Sequence, residues 1–159
     1  MILHRLDRVN FVAGLFVVAF TIFATLPSAA QDEEKPYSIE NGAIDWYSYS
    51  GFRRYHSECH VCHGPDGLGS SFAPALVESV RQLSYDEYLD VVVNGRESVG
   101  VSEQNKMPAF GENLNVMCFI DDLYAYLVAR ADGVLGRGRP AKKQAKPEEA
   151  KERDTDCMG

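Results

Sequence analysis

The sequence predicts a small all-α domain with long loops, and three observations lead there. Apolar side chains recur at helical spacing in three separate windows, near 41–57, 84–94 and 115–131. No stretch alternates apolar and polar residues with the period of two that a half-buried strand shows. Between the windows lie segments rich in Gly, Pro and Ser, of which 64–74 (GPDGLGSSFAP) is the densest. The chain has 159 residues, enough for one domain with appendages, and its 45% hydrophobic and 25% charged content excludes a wholly disordered chain.

Residues 1–30 are expected to stand outside the fold. Arg5 and Arg8 make a basic start, residues 11–26 (FVAGLFVVAFTIFATL) form an apolar run, and Ser28 and Ala30 set small residues in a cleavage pattern. This reads as a secretory signal peptide cut after Ala30. An uncleaved anchor is the competing reading, because the run approaches the length of a membrane span. Either way the remainder, 31–159, is expected in the periplasm, an oxidising compartment. Residues 31–40 (QDEEKPYSIE) read as a flexible lead-in.

The first helix is expected from near Asn41 or Asp45 to about Ser57, on the spacing of Trp46, Tyr49, Phe52, Tyr55 and His56. Ser84 opens the second. Ser84 and Glu87 make a capping box, Asn94-Gly95 supplies the stop, and Leu83, Tyr88, Val91 and Val92 would face inward. Residues 96–114 read as a long loop carrying Lys106-Met107-Pro108-Ala109-Phe110-Gly111. The last helix is expected over 115–131, with Met117, Ile120, Tyr124, Leu127 and Val128 as its apolar stripe and Gly133 as its end. Beyond Gly136 large apolar residues almost vanish, so the tail is expected to be extended or mobile. The division is thus 1–30, 31–40, a domain at 41–136, and a polar tail at 137–159.

The formal net charge of −7 is an average. Residues 31–136 carry seventeen acidic and seven basic side chains, net −10, whereas 137–159 is net +2. An acidic body excludes nucleic acid as the main partner, since phosphate binding runs on clustered Lys and Arg.

Two of the four cysteines and two of the four histidines fall within five residues, Cys59-His60-Val61-Cys62-His63. Cys-x-x-Cys-His reads as an attachment site for one haem c. Each thiol adds to a haem vinyl group, one helical turn presents both sulfurs to one porphyrin edge, and His63 then reaches the iron. A thioredoxin-like Cys-x-x-Cys would want a preceding strand and a βαβ context. A zinc site would need further ligands, and no second Cys-x-x-Cys exists.

On these residues the chain resembles the class I (mitochondrial-like) c-type cytochromes, over about 40–131. Gly51 and Tyr55 stand eight and four positions before Cys59, where that family has a small residue and an aromatic on its N-terminal helix. Tyr126 matches the aromatic of the C-terminal helix that packs across them. The resemblance implies a small class I cytochrome c fold, with N- and C-terminal helices crossing and long loops around one covalent haem. It also implies that the Pro74 carbonyl accepts the second ring N–H of His63, the alternative being an ordinary loop proline.

For the second axial position Met107 is the leading residue. Met-Pro in a loop before the last helix is the family pattern, and a thioether suits an electron carrier because it closes the iron and raises the potential. Met117 on the helical stripe, the near-terminal Met158, a histidine (His56 or His60), water and an open site are the rivals. With Cys59 and Cys62 given to haem, Cys118 and Cys157 remain. An even remainder in an oxidising compartment suggests one disulfide, which would tie the tail back to the last helix so that 137–156 wraps the domain, and would close a loop worth roughly 4 kcal/mol by chain entropy; a buried Cys118 thiol with a loose Cys157 is the alternative.

No acid–base pair, nucleophile system or phosphate loop stands out, so electron transfer rather than catalysis is expected. Residues 115–122 (NVMCFIDD), 131–140 (ADGVLGRGRP) and 156–159 (DCMG) resemble a four-cysteine cytochrome group associated with methanol metabolism. That resemblance implies a periplasmic quinoprotein (PQQ-dependent) methanol or alcohol dehydrogenase as donor, and another cytochrome or a terminal oxidase as acceptor. A generic respiratory cytochrome c with another donor stays open, as does a haem ligand sensor or peroxidase-like protein should Met107 not bind iron. A membrane contact is expected only if the signal segment stays uncleaved.

Overall fold

The computed structural model describes residues 34–99 and 104–158, so the expected signal segment lies outside the described residues. Helix α1 (Trp46–Glu58) starts where Asp45 accepts hydrogen bonds from Ser48 N and Ser48 Oγ, both at 2.8 Å. The same carboxylate takes Ser38 N at 2.8 Å. The stretch before it is therefore held, and part of the expected flexible lead-in is a ribbon. Strand β1 (Ile39–Glu40) pairs antiparallel with β2 (Ala43–Ile44) around Asn41 and Gly42, both at positive φ.

Helix α1 crosses α6 (Ile120–Ala131) at Gly51. A Cβ there would strike the Asp122 carbonyl and come within 2.9 Å of Tyr126 Cβ, so only glycine lets the two backbones approach this closely. On either side of the crossing Tyr55 and Tyr126 are fully buried, with ring centroids 5.5 Å apart. Each contributes about 2–3 kcal/mol of burial, and the tilted ring geometry adds to it.

Helix α2 (His60–His63) follows α1 after the single residue Cys59, and a short 3-10 turn (Pro65–Gly67) lies inside the Gly/Pro-rich segment. Helix α3 (Leu76–Ser79) leads to α4 (Tyr85–Asn94), whose Ser84/Glu87 capping box forms as the sequence predicts. Of the four residues expected inward, Tyr88 is buried and donates to Ile120 O at 3.2 Å. Leu83, Val91 and Val92 are half-buried.

The expected loop after Gly95 contains an antiparallel ribbon, β3 (Arg96–Val99) with β4 (Gln104–Met107), in register Arg96↔Met107. Its sequences, RESV and QNKM, carry no run of alternating apolar and polar residues, so backbone pairing forms the ribbon and no pattern announces it. The expected single C-terminal helix is two pieces, α5 (Leu114–Met117) and α6, with a break at Cys118-Phe119. The break re-phases α6. Leu123, Tyr126 and Leu127 are buried, while Tyr124 and Val128 of the expected stripe are only half-buried.

The tail is ordered, not extended or mobile. Residues 142–144 pair with Ile44 through Ile44 N to Lys142 O (3.2 Å) and Gln144 N to Ile44 O (2.8 Å). Lys143 Nζ then lies 4.8 Å from the Trp46 ring centre. Helix α7 (Glu148–Met158) follows, with acidic residues in its first turn and a Lys151–Glu148 pair. Arg153 donates to both oxygens of the buried Asp122 at 2.8 Å, and Cys157 is disulfide-bonded to Cys118 with the Cα atoms 6.0 Å apart. Composition argued for a loose tail. Covalent and ionic anchors to α5 and α6 override it.

Candidate functional site

The five residues after α1, Cys59 to His63, build the candidate anchor turn. Cys59 N donates to Tyr55 O at 2.9 Å, and His63 N to Cys59 O at 3.0 Å, so the helical path nearly continues through the motif. Cys59 is half-buried and Cys62 exposed, and both are free thiols. Burial pushes the Cys59 thiol up to about 12, the opposite of the depressed value that thiol–disulfide exchange uses. Among the described residues no group of three or more His, Cys, Asp or Glu side chains could hold a metal ion.

His63 is buried, and its Nδ1–H donates to Pro74 O at 2.9 Å. Because a carbonyl can only accept, this bond places the proton on Nδ1 and leaves Nε2 with its lone pair. Pro74 is brought to His63 by a tight loop. Gly69 N donates to His63 O at 2.8 Å, Ser70 N to Ala73 O at 3.0 Å, and Ser70 Oγ donates to Cys62 O.

Tyr55 secures the other side. Burial pushes its phenol above the usual range, so it keeps its proton and donates to Gly64 O at 2.5 Å while accepting from Gly67 N at 3.0 Å. Asp66, buried and at φ 63°, accepts from Gly138 N at 2.8 Å and pairs with Arg137. The start of the tail is thereby tied to the loop that follows His63. Neither tie is visible in the sequence, although the buried Asp in Pro65-Asp66-Gly67 sits in a turn context that invites a backbone partner.

Met107 ends β4, half-buried, opposite Arg96 in the ladder. Of its rivals, Met117 is packed against the core and Met158 is exposed. His56 holds Phe52 O through Nδ1 at 2.9 Å, lies tilted against the Phe52 ring and stacks on His60, with ring centres 4.3 and 5.7 Å away. His56 and His60 are half-buried.

The donor set fits a covalently held haem. Two unpaired sulfurs stand one turn apart, and an imidazole with a fixed tautomer directs its basic nitrogen away from Pro74. Apolar side chains on the same segment, Val61, Leu68 and Phe72, are exposed by 71%, 45% and 70%, which supplies apolar surface beside the anchors.

Comparison with known proteins agrees with this chemistry. A family model described as cytochrome c oxidase, cbb3-type, subunit III matches residues 49–127. Cytochrome c-553I of Paracoccus denitrificans is 52% identical over 119 residues, covering 75% of this chain and 53% of that protein. The chain thus spans about half the length of that relative. Cytochrome c-555 of Methylococcus capsulatus is 39% identical over 102 residues, 64% of this chain and 76% of that one. The crystal structure of the c-type cytochrome XoxG from Methylobacterium extorquens AM1 is similar with a TM-score of 0.67 and 47% identity, over 79% of this chain and 83% of the other.

Proposed function

This chain belongs to the class I c-type cytochromes, electron-transfer proteins that carry covalent haem c, and from that premise we propose a periplasmic carrier that takes single electrons from a PQQ-dependent methanol or alcohol dehydrogenase. The observation that carries the electron-transfer reading is the Cys59-x-x-Cys62-His63 turn with His63 Nδ1 bonded to Pro74 O. When bound, haem c supplies a one-electron iron couple. Cys59 and Cys62 would fix it through two thioethers, and His63 would bind iron through Nε2. The Pro74 bond orients that imidazole and raises its basicity. Met107 would supply the second axial ligand, and Pro108 after it biases its backbone toward the extended form seen in β4.

The donor reading is supported by the resemblance of the C-terminal third, with Cys118 and Cys157, to the four-cysteine methanol-related group and by the 47% identity with XoxG. The acceptor would be another cytochrome or a terminal oxidase. Among the described residues no helix is long and apolar enough to cross a membrane.

Two measurements test the reading. The oxidised holoprotein should show a Met-to-iron charge-transfer band that Met107→Ala abolishes, and the reduced wild type should bind carbon monoxide slowly. Rapid carbon monoxide binding would instead favour the ligand-sensor reading. In stopped flow, a purified quinoprotein dehydrogenase should reduce the protein faster than an unrelated dehydrogenase does. Equal rates would leave a generic respiratory cytochrome c and sink the methanol assignment.

A further inference from the structure

Glu58 is the last residue of α1 and directly precedes Cys59. A carboxylate at a helix C-terminus meets the negative end of the helix dipole, a placement that costs roughly 0.3–1 kcal/mol. Here both of its oxygens are taken by amides from across the molecule. Asn113 Nδ2 donates to Oε2 at 3.1 Å and Asn115 Nδ2 to Oε1 at 2.6 Å. Asn115 Nδ2 also lies 3.2 Å from Ser57 Oγ, and Asn115 Oδ1 accepts from Arg54 Nη1. The Arg54 guanidinium is in turn seated 3.7 Å from the Phe119 ring centre, at the break between α5 and α6.

Asn113 stands six residues after Met107, and backbone hydrogen bonds hold the chain between them at Phe110, Gly111 and Asn113. Phe110 N and Gly111 N donate to Val92 O and Val93 O at the end of α4, at 3.0 and 3.1 Å. Asn113 N closes a turn on Phe110 O at 2.9 Å. On the other side of Met107, Gly95 at φ 74° is packed so closely that a Cβ would come 2.6 Å from Met107 O and 2.8 Å from Ala109 N. The segment 107–115 thus rests on Gly95, on the end of α4, and on Glu58. Glu58 is the support carried by the helix that runs into the haem anchors.

We propose that Glu58, with Asn113 and Asn115, is a positioning residue that holds the Met107 segment in fixed relation to the Cys59–Cys62 anchor turn and so keeps the thioether on the iron. This rests on the reading of Met107 as axial ligand. Glu58 touches neither iron nor porphyrin in this role. It acts by limiting how far the ligand loop swings, so its loss shows as faster escape of the Met107 sulfur.

The experiment uses the oxidised holoprotein and imidazole as the incoming ligand. At saturating imidazole the binding rate is limited by departure of the thioether. Glu58→Ala and Asn115→Ala should each raise that limiting rate roughly 5- to 30-fold, the range for losing one or two charge-assisted hydrogen bonds. Glu58→Gln keeps one acceptor oxygen and should restore part of the difference. The double variant should be little faster than the faster single one, because both break the same contact. Asp132→Ala, which removes the Tyr37 and Lys35 ties at the C-terminal end of α6, should lower thermal stability and leave the rate unchanged. A wild-type rate in Glu58→Ala, or an equal rise in Asp132→Ala, overturns the positioning role alone while the axial reading stands. A charge-transfer band that persists in Met107→Ala removes the axial reading and this proposal together.

Discussion

At the scale of the residue, two positions carry the helix crossing. Gly51→Ala would drive a methyl into the Asp122 carbonyl and the Tyr126 side chain, and neither helix can retreat without opening the Tyr55–Tyr126 contact. The expected loss is about 3 kcal/mol, read as a shift in denaturant midpoint at unchanged m. A loss below about 0.5 kcal/mol would mean that the helices slide apart freely. Asp122 is the second. Burial holds its carboxyl above the ordinary value against the pull of the Arg153 guanidinium. Arg153→Ala leaves that carboxylate buried without its cation and should cost about 2–3 kcal/mol at neutral pH, discounted because Arg153 is partly exposed. The sign with pH follows from a folded value raised above the unfolded one. The native state then binds the proton more tightly, so the variant is most stable below the ordinary carboxylate range and loses stability as pH rises through the raised folded value. A penalty that stays constant on acidification would show that Asp122 is not the group left unpaired. The proposed anchor residues Cys59, Cys62 and His63 stand out in the sequence because covalent haem attachment demands residue type and spacing together. Glu58, Tyr55 and Asp66 were not legible as partners. Their identities are ordinary, and their bonds depend on groups that only the fold brings near.

At the scale of the element, legibility followed the balance between local and distant forces. Helix α4 was readable to its cap because Ser84, Glu87 and Gly95 define it locally. The α5–α6 break was not, since neither Pro nor Gly marks Cys118-Phe119 and the Arg54 guanidinium packed on Phe119 is 65 residues away in sequence. Helix α7 is the extreme case. Its polar sequence predicts no order, and its order comes from Cys157, Arg153 and the pairing of residues 142–144 with Ile44. The double variant Cys118→Ser with Cys157→Ser removes a cross-link of sequence separation 39. By chain entropy it should lose up to about 4 kcal/mol. The loss should be local first. Amide protons of 148–158 should exchange well before those of α6, where wild type should show a smaller gap between the two. Equal protection of both helices in the double variant would mean that the ion pair and strand bridge suffice without the disulfide.

At the scale of the whole molecule the controlling quantity is the charge division between an acidic body and a mixed tail. Residues 31–136 are net −10, and the exposed side of α4 presents Asp86, Glu87 and Asp90 together. Several cations of the tail are engaged on the protein itself: Arg137 with Asp66, Lys146 with Asp154, Lys151 with Glu148 and Arg153 with Asp122. The tail's net +2 offsets little of the body's −10, so a donor would meet a net negative protein. If the proposed dehydrogenase docks through a basic patch, attraction steers the encounter and salt weakens it. The Debye length falls from about 30 Å at 0.01 M to about 10 Å at 0.1 M, so the bimolecular reduction rate should drop steeply across that range. The triple variant Asp86→Asn, Glu87→Gln, Asp90→Asn should flatten the salt slope if α4 faces the donor. It should leave the slope nearly unchanged if docking uses the anchor-turn side bearing Val61 and Phe72. A rate that rises with salt would reverse the assignment altogether: the donor would then meet this protein with like charge, and apolar contact around the anchor turn would have to carry the association.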